Sequence, residues 1–306
     1  MKLVTEEQSA RLATHELAYR AVREALIAAV DPQTASFPVV LGHSFDPSNR
    51  FTVKSGAAPG IVGLKIGSYW PGNPERGLPR HSSTIILIDE AIGRIKAVVE
   101  GGQLNAYRTA AADAVTTDTL ARKDAEVLAL FGTGHQARYE AAAVARVRAL
   151  REVLVVGRSA ASTETMVADL RALGLPARPS GAEDACRAAD IIVAATTARE
   201  PLFEADWVKP GTHISSMGSD ATGKQELPPA LFERARLFCD LCEQSCRIGE
   251  FQHAGPEARI EAIGSVLLGA VPGRTSDGEI TIFDSSGIAV QDLFIARAIL
   301  AEVAPT

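Results

Sequence analysis

The sequence predicts an α/β protein: a doubly wound parallel sheet of Rossmann type, plus a smaller α+β domain. Three observations predict it. The chain has 306 residues, room for about two domains at roughly 150 residues each. From about Ala106 onward, short apolar strands alternate with helices, the rhythm of βαβ units. A glycine-rich loop follows the first of those strands and opens a helix.

The first third reads differently. Thr5-x-x-Gln8 is a capping-box signature and predicts one long helix through about Ala29, with Leu12, Leu17, Ala21 and Leu26 on one face and a stop at Asp31-Pro32. β-rich pieces follow at Phe51–Val53, Ile61–Ile66, Thr84–Ile88 and Ile95–Val99, separated by turn residues such as Pro71-Gly72-Asn73-Pro74. The alternating part comes next. Its strands are Val127–Phe131, Val153–Val156, Ile191–Ala195, His213–Met217, Leu237–Cys239 and Ile280–Phe283. A helix is expected from the glycine loop to about Leu150, and another over Ser162–Leu173. The final helix carries Ile288, Leu293, Ala296, Ile299, Leu300 and Val303 on one face. The expected division is 1–107 with 288–306 for the α+β domain, and 108–287 for the doubly wound one.

Composition excludes several classes. Lys and Arg number 31 against 37 Asp and Glu, a net charge of −6. That balance lacks the basic footprint of a nucleic-acid binder, and 5% aromatic residues offers few stacking platforms. No apolar run approaches the roughly 20 residues of a membrane span. The start, MKLVTEEQSAR, has no apolar signal-peptide core. A cytoplasmic protein with no membrane partner is expected. Four cysteines are too few for a disulfide scaffold. Three of them form Cys239-x-x-Cys242-x-x-x-Cys246, a spacing that matches no common zinc pattern. It reads as a strand end running into a helix, and no metal site is assigned.

Gly132-Thr133-Gly134-His135-Gln136-Ala137 fits G-x-G-x-x-A, a dinucleotide fingerprint. Gly132 permits the tight turn, Gly134 lets backbone approach a pyrophosphate, and Ala137 lets the helix pack close. The helix N-terminus favours phosphate charge, and His135 and Gln136 line the loop. The second strand ends Val155-Val156-Gly157-Arg158-Ser159, without the Asp or Glu that binds the ribose 2′-hydroxyl of NAD. Gly157 leaves room there, and Arg158 and Ser159 suit a 2′-phosphate. NADP(H) is the expected cofactor, with NAD(H) as the alternative. Thr196 and Met217 stand at strand ends, which face the ligand crevice in such sheets.

Three charged residues stand out elsewhere. Lys65 lies in the apolar strand Val62-Gly63-Leu64-Lys65-Ile66, where burial demands a partner unless the side chain snorkels. Arg108 sits among small residues, and Asp220 lies just past the strand His213–Met217.

Together these segments resemble the ornithine cyclodeaminase/μ-crystallin family. The matching stretches are Gly63-Leu64-Lys65-Ile66, Tyr69-Trp70-Pro71-Gly72-Asn73, Ala106-Tyr107-Arg108-Thr109-Ala110-Ala111-Ala112, the glycine loop, Gly218-Ser219-Asp220 through Glu226-Leu227, and Phe283-Asp284-Ser285-Ser286-Gly287 through Asp292. The resemblance implies a homodimer whose α+β domain, joined by the last helix, binds substrate and dimerises. It implies that Lys65 and Arg108 hold the substrate carboxylate and that Asp220 exchanges a proton with the substrate nitrogen. Thr109 and the Ser285-Ser286-Gly287 turn match cofactor-lining positions. Many members also carry an arginine after a proline upstream of the lysine. Here that region reads Phe37-Pro38-Val39-Val40-Leu41-Gly42-His43, so His43 or Lys54 is the substitute. The expected activity is NADPH-dependent reduction of a cyclic imino acid, Δ1-pyrroline-2-carboxylate or Δ1-piperideine-2-carboxylate, to L-proline or L-pipecolate. Ornithine cyclodeamination, an NADP-dependent amino-acid dehydrogenase and a μ-crystallin-like binding protein are the alternatives.

Overall fold

The computed structural model describes residues 1–303. Two compact units result, Met1–Arg108 with the chain from Ile288 onward, and Thr109–Gly287.

The first unit opens with strand β1 (Lys2–Val4), helix α1 (Glu6–Leu12) and helix α2 (His15–Ala28). The capping box forms as expected: the Thr5 hydroxyl accepts from the Gln8 N–H, and the Gln8 side chain accepts from the Thr5 N–H. The single helix expected through Ala29 does not form. Thr14 leaves helical geometry and caps a second helix, its hydroxyl accepting the Leu17 N–H at 3.1 Å, because a threonine side chain competes well for exposed N–H groups. Strands β2 (Ala35–Ser36), β3 (Val40–His43), β4 (Arg50–Ala58), β5 (Ile61–Tyr69), β6 (His81–Ile88) and β7 (Ile95–Glu100) follow. The sheet runs β1-β7-β6-β5-β4-β2, with β3 also on β4. Only the β1–β7 pair is parallel among these described ladders.

Helix α3 (Gly102–Leu120) begins in this unit and ends in the next. Its first N–H groups find a carboxylate: Glu6 accepts from Gly102 at 2.7 Å and Gln103 at 2.8 Å. An anion there offsets the positive end of the helix and fixes the start from which Asn105 and Arg108 are measured.

The second unit contains β8 (Val127–Phe131), α4 (His135–Val144), β9 (Glu152–Val156), α5 (Ala160–Ala172), β10 (Ala177–Pro179), α6 (Ala182–Ala188) and β11 (Ile191–Ala194). It continues with β12 (His213–Ser216), β13 (Ala235–Cys239), α7 (Cys242–Ile248), β14 (Ile260–Ala262), α8 (Ile263–Leu267) and β15 (Ile280–Asp284). The order is β10-β9-β8-β11-β12-β15-β13-β14, and every ladder is parallel. β8 and β11 are neighbours although the chain departs from β8 in the opposite direction. That is the topological switch point of a Rossmann-type sheet, where ligands bind beyond the strand ends. β8 and β11 are buried along their whole length, which is why they read as continuous apolar runs; β15 is equally buried but carries Thr281 and Asp284. α4 ends at Val144, short of the expected Leu150, and tight turns complete that stretch.

The chain then returns to the first unit as α9 (Ala289–Glu302). Its approach to the sheet is set by glycine. Gly56 and Gly63 pair across β4 and β5, and a Cβ on Gly63 would stand 3.0 Å from Leu293 and 2.1 Å from the Ile86 carbonyl. Their absent side chains let α9 lie close against the strands.

Candidate active site

Two residues along from that glycine pair, on the same face, Lys54 and Lys65 pair across β4 and β5. α9 brings Asp292 here. Lys65 Nζ lies 2.8 Å from Asp292 Oδ2, and Arg108 Nε lies 3.2 Å from Asp292 Oδ1. Asn105, three residues before Arg108 on α3, accepts from both cations: Lys65 Nζ at 3.1 Å and Arg108 Nη2 at 2.8 Å. Lys65 is 4% exposed and Arg108 is 7% exposed. Lys65 therefore neither sits on a sheet edge nor snorkels. Its apolar strand tolerates it because Asp292 supplies the charge that burial requires.

Burial pushes the Lys65 pKa down to about 7; Asp292 opposes that shift, while Arg108 and Lys54 reinforce it. Burial works against the Asp292 carboxylate too, yet Lys65 and then Arg108 outweigh it and hold its pKa below the usual value. The result is a positive site with one internal anion. Ser83, on β6, pairs with Gly67 one step along the same face, since Lys65 pairs with Ile85. Its hydroxyl is buried, at 6% residue exposure, and has no partner among the described residues. His43 is not part of this group. It is exposed, donates from Nδ1 to the Ser44 carbonyl, and pairs with Arg50, four residues along β4 from Lys54, about 13 Å at strand rise. Of the two substitutes for the absent arginine, the structure brings only Lys54 to Lys65.

In the second unit the glycine loop has the geometry its sequence suggests. Gly132 has φ of 123°, a conformation side chains resist. A Cβ there would also meet the Ala195 carbonyl at 2.6 Å. Gly134 caps α4 with no side-chain hydrogen bond, and a Cβ on it would meet nothing within 4 Å. A helix start whose cap brings no side chain, with open space before it, fits a pyrophosphate. Gln136 donates to Glu140 at 2.7 Å, and His135 packs on Tyr139 at 4.9 Å, so both side chains are turned to the helix itself. Arg158 and Ser159 are exposed at the end of β9, and Ser159 caps α5. A groove runs beside them between Gly157, Ala160 and Thr163 on one wall and Pro179, Ser180 and Gly181 on the other. Gly157 lines this groove, and a Cβ there would meet the Thr163 hydroxyl at 2.4 Å and the Thr133 methyl at 2.6 Å.

The strand ends are tied together by a carboxylate that sequence reasoning passed over. Glu226 accepts from the Thr196 N–H at 2.7 Å, the Thr196 hydroxyl at 2.8 Å, the Gly218 N–H at 2.8 Å and the Ser216 hydroxyl at 2.8 Å. Glu250 in turn accepts the N–H groups of Glu226 and Leu227. Burial raises the pKa of Glu226, and raises Glu250 to about 7. Thr196 and Gly218 are thus held relative to each other, next to Met217, which is buried. Asp220 follows on the open side, ion-paired with Lys224 at 2.5 Å. Thr109 is buried on α3. Ser286 is also buried, and its hydroxyl is committed inward, donating to Asp240 at 2.8 Å and accepting from Gln244 at 2.9 Å. These bonds tie Ser286 to Asp240 and Gln244 within its turn.

The residues sequence reasoning left without a role are Asn105, Asp292, Ser83 and Glu226. Asp292 carried a signal, as an acid inside the apolar run Ala289–Ala296 that demands a buried partner. Asn105 and Ser83 carried none.

A parallel sheet with this switch point and glycine loop defines a dinucleotide-binding protein. A family model described as the ornithine cyclodeaminase/mu-crystallin family matches residues 4–305, and the chain belongs to that family. It is 39% identical over 308 residues to the iminosuccinate reductase of Paracoccus denitrificans, covering 98% of this chain and 96% of the relative. The structure of that reductase in complex with NAD+ superposes with a TM-score of 0.93. An archaeal alanine dehydrogenase dimer with bound NAD matches with a TM-score of 0.92 at 31% identity, over 100% of this chain and 98% of that one. The Δ1-pyrroline-2-carboxylate reductase of Thermococcus litoralis, in complex with NADH and L-proline, matches at 0.88 and 26% identity, over 98% and 97%. No helix among the described residues is long and apolar enough to cross a membrane.

Proposed function

We propose that this enzyme reduces the C=N bond of a small α-imino acid to the corresponding amino acid, and that the substrate is an imino dicarboxylate of the iminosuccinate type. The observation that carries the reading is the charge around Lys65. Lys54 and Arg108 both act on it as like charges, and Asp292 is the carboxylate that answers them. A site with that cationic surplus suits a dianion. The unpartnered Ser83 hydroxyl on the same face offers a further donor. The full-length similarity to an iminosuccinate reductase supports the same substrate.

In this reading Arg108 and Lys65 hold the α-carboxylate, since a guanidinium fork matches a carboxylate. Lys54 and Ser83 meet the second carboxylate. Asp220 gives a proton to the substrate nitrogen. The reduced nicotinamide, when bound, supplies the hydride. The first unit serves as the substrate and dimerisation domain and the second as the dinucleotide domain. Arg158 supports NADPH over NADH as the reductant. Exposed Phe37, Val40, Leu41 and Phe45 along and beside β3 support a homodimer through this edge.

Cyclic imino acids are the second reading. It is favoured by 32% identity over 261 residues to the Δ1-pyrroline-2-carboxylate reductase of Bacillus cereus. The deciding experiment supplies NADPH with iminosuccinate, formed in place from oxaloacetate and ammonium, or with Δ1-pyrroline-2-carboxylate or Δ1-piperideine-2-carboxylate. L-Ornithine with NAD+ is tested for ammonia release. The expected result is fastest NADPH consumption with iminosuccinate, yielding aspartate. A higher kcat/KM for a cyclic imine promotes the second reading, and no oxidation with any imine refutes both.

A further inference from the structure

Cys239 ends β13 and Cys242 opens α7, and their sulfurs stand 3.4 Å apart. Cys239 is buried, Cys242 is half-buried, and Cys246 is exposed one helical turn further on. The two nearer sulfurs are therefore placed for thiol–disulfide chemistry. A disulfide needs its sulfurs about 2.05 Å apart, a small approach from the observed separation.

The segment that such a bond would pull is wired to a second place. Asp240, between the two thiols, accepts from the Gly287 N–H at 2.7 Å, the Ser286 hydroxyl at 2.8 Å and the Leu241 N–H at 2.8 Å. Gln244 donates to the Gly287 carbonyl at 3.0 Å. Ser245 donates to Asp284, the β15 residue that pairs with Cys239. Residues 240–245 therefore hold the 285–287 turn.

We infer that Cys239 and Cys242 form a redox-responsive pair, closed to a disulfide by exchange with a small disulfide, and that closure loosens the Ser285–Gly287 turn. Cys242 attacks first. It is the accessible sulfur, and the hydrogen bond from Cys239 lowers its pKa, while that same bond and burial keep the Cys239 thiol well up. The Cys242 thiolate displaces one thiolate from the small disulfide and forms a mixed disulfide. Cys239 gives its proton to the departing thiolate and attacks Cys242 Sγ, expelling the second thiolate, which takes up the proton lost from Cys242. Two protein thiols are oxidised, and one small disulfide is reduced to two thiols.

The test equilibrates the reduced full-length protein in glutathione buffers of increasing oxidised fraction, then traps free thiols and maps peptides by mass. The expected result is a Cys239–Cys242 cross-link, lighter by two hydrogens and reversed by dithiothreitol. It should persist in Cys246→Ser. Cys239→Ser should instead trap glutathione on Cys242. Amide exchange across 285–287 should quicken by about tenfold in the oxidised form, as a lost local hydrogen bond predicts. The inference is overturned if both thiols stay free in the most oxidising buffer. It is equally overturned if Cys242 joins Cys246, or if the cross-link leaves exchange across 285–287 unchanged. None of these readouts uses turnover or cofactor, so they stand apart from the proposed reaction.

Discussion

Lys65 on β5 and Asp292 on α9 meet at 2.8 Å, each nearly inaccessible to solvent, and the pair fixes both the charge and the position of the site's main cation. Removing one member of a buried ion pair leaves the other uncompensated, at a cost of about 3 kcal/mol or more. Asp292→Asn should lower folding stability by about that amount in urea titrations. It should also raise the imino-acid KM by about tenfold, the equivalent of about 1.4 kcal/mol, since Asp292 fixes where Lys65 and Arg108 point. An unchanged urea midpoint would show that the pair is not coupled to folding.

A lysine whose pKa is depressed to about 7 keeps its charge only below that pH, whereas an exposed lysine keeps it to about 10.4. The kcat/KM for imine reduction, which reports the free enzyme, should therefore fall as pH rises through about 7. Lys65→Arg should move that falling limb upward, because a guanidinium stays charged, at some loss of geometry. Folding stability should move the other way, rising from about pH 7 to about 10.4, where the unfolded chain binds the proton and the folded one does not. A pH profile flat to pH 9 in the wild type would remove Lys65 from carboxylate binding.

Arg158 is exposed at the end of β9, and the proposed reading assigns it to the 2′-phosphate of NADPH. Arg158→Ala should raise KM for NADPH by about tenfold to a hundredfold, in line with about 1.5–3 kcal/mol for a charged hydrogen bond. KM for NADH should change less than about twofold. Steady-state kinetics with both cofactors decides it, and an unchanged ratio of the two KM values would reject the NADPH assignment.

Asp220→Ala should lower kcat by about 10²–10⁴, the usual contribution of a positioned acid or base. The NADPH dissociation constant, read by fluorescence, should hold. Lys224→Met provides the control, because it removes the 2.5 Å ion pair of Asp220 while leaving the acid. Full activity in Asp220→Ala would take this residue out of proton transfer.

Burial raises Glu250 to about 7, well above its ordinary value near 4.5. The folded chain then binds a proton that the unfolded chain has released. Its stabilising contribution is complete below about pH 4.5 and is lost as pH rises to about 7. Glu250→Gln, which cannot titrate, should flatten that part of the stability profile in urea titrations at stepped pH. An identical slope in the variant would place the proton elsewhere.

Much of this protein was legible in the chain. Alternating apolar runs marked the parallel sheet, because strands buried on both faces need no polar positions. Gly132-Thr133-Gly134 marked the loop, because a backbone at φ of 123° excludes most side chains. The boundary at Thr14 was missed because the helical periodicity of apolar residues continues across it, while a single hydroxyl decides where the backbone turns. The extent of α4 failed for a similar reason, since alanine-rich sequence permits helix without requiring it.

The sequence by itself determined the sheet, the loop and the identity of the basic residues. It could mark Lys65 and Arg108 as needing partners, because an unpaired buried charge is too costly to keep. Which partners they found was decided only by tertiary structure. Asp292 lies far along the chain and reaches Lys65 because Gly56 and Gly63 let α9 settle on the sheet. Asn105 joins them because Glu6 fixes the start of α3. Periodicity reports which face of an element is buried; it carries no information on which distant side chain will share that face.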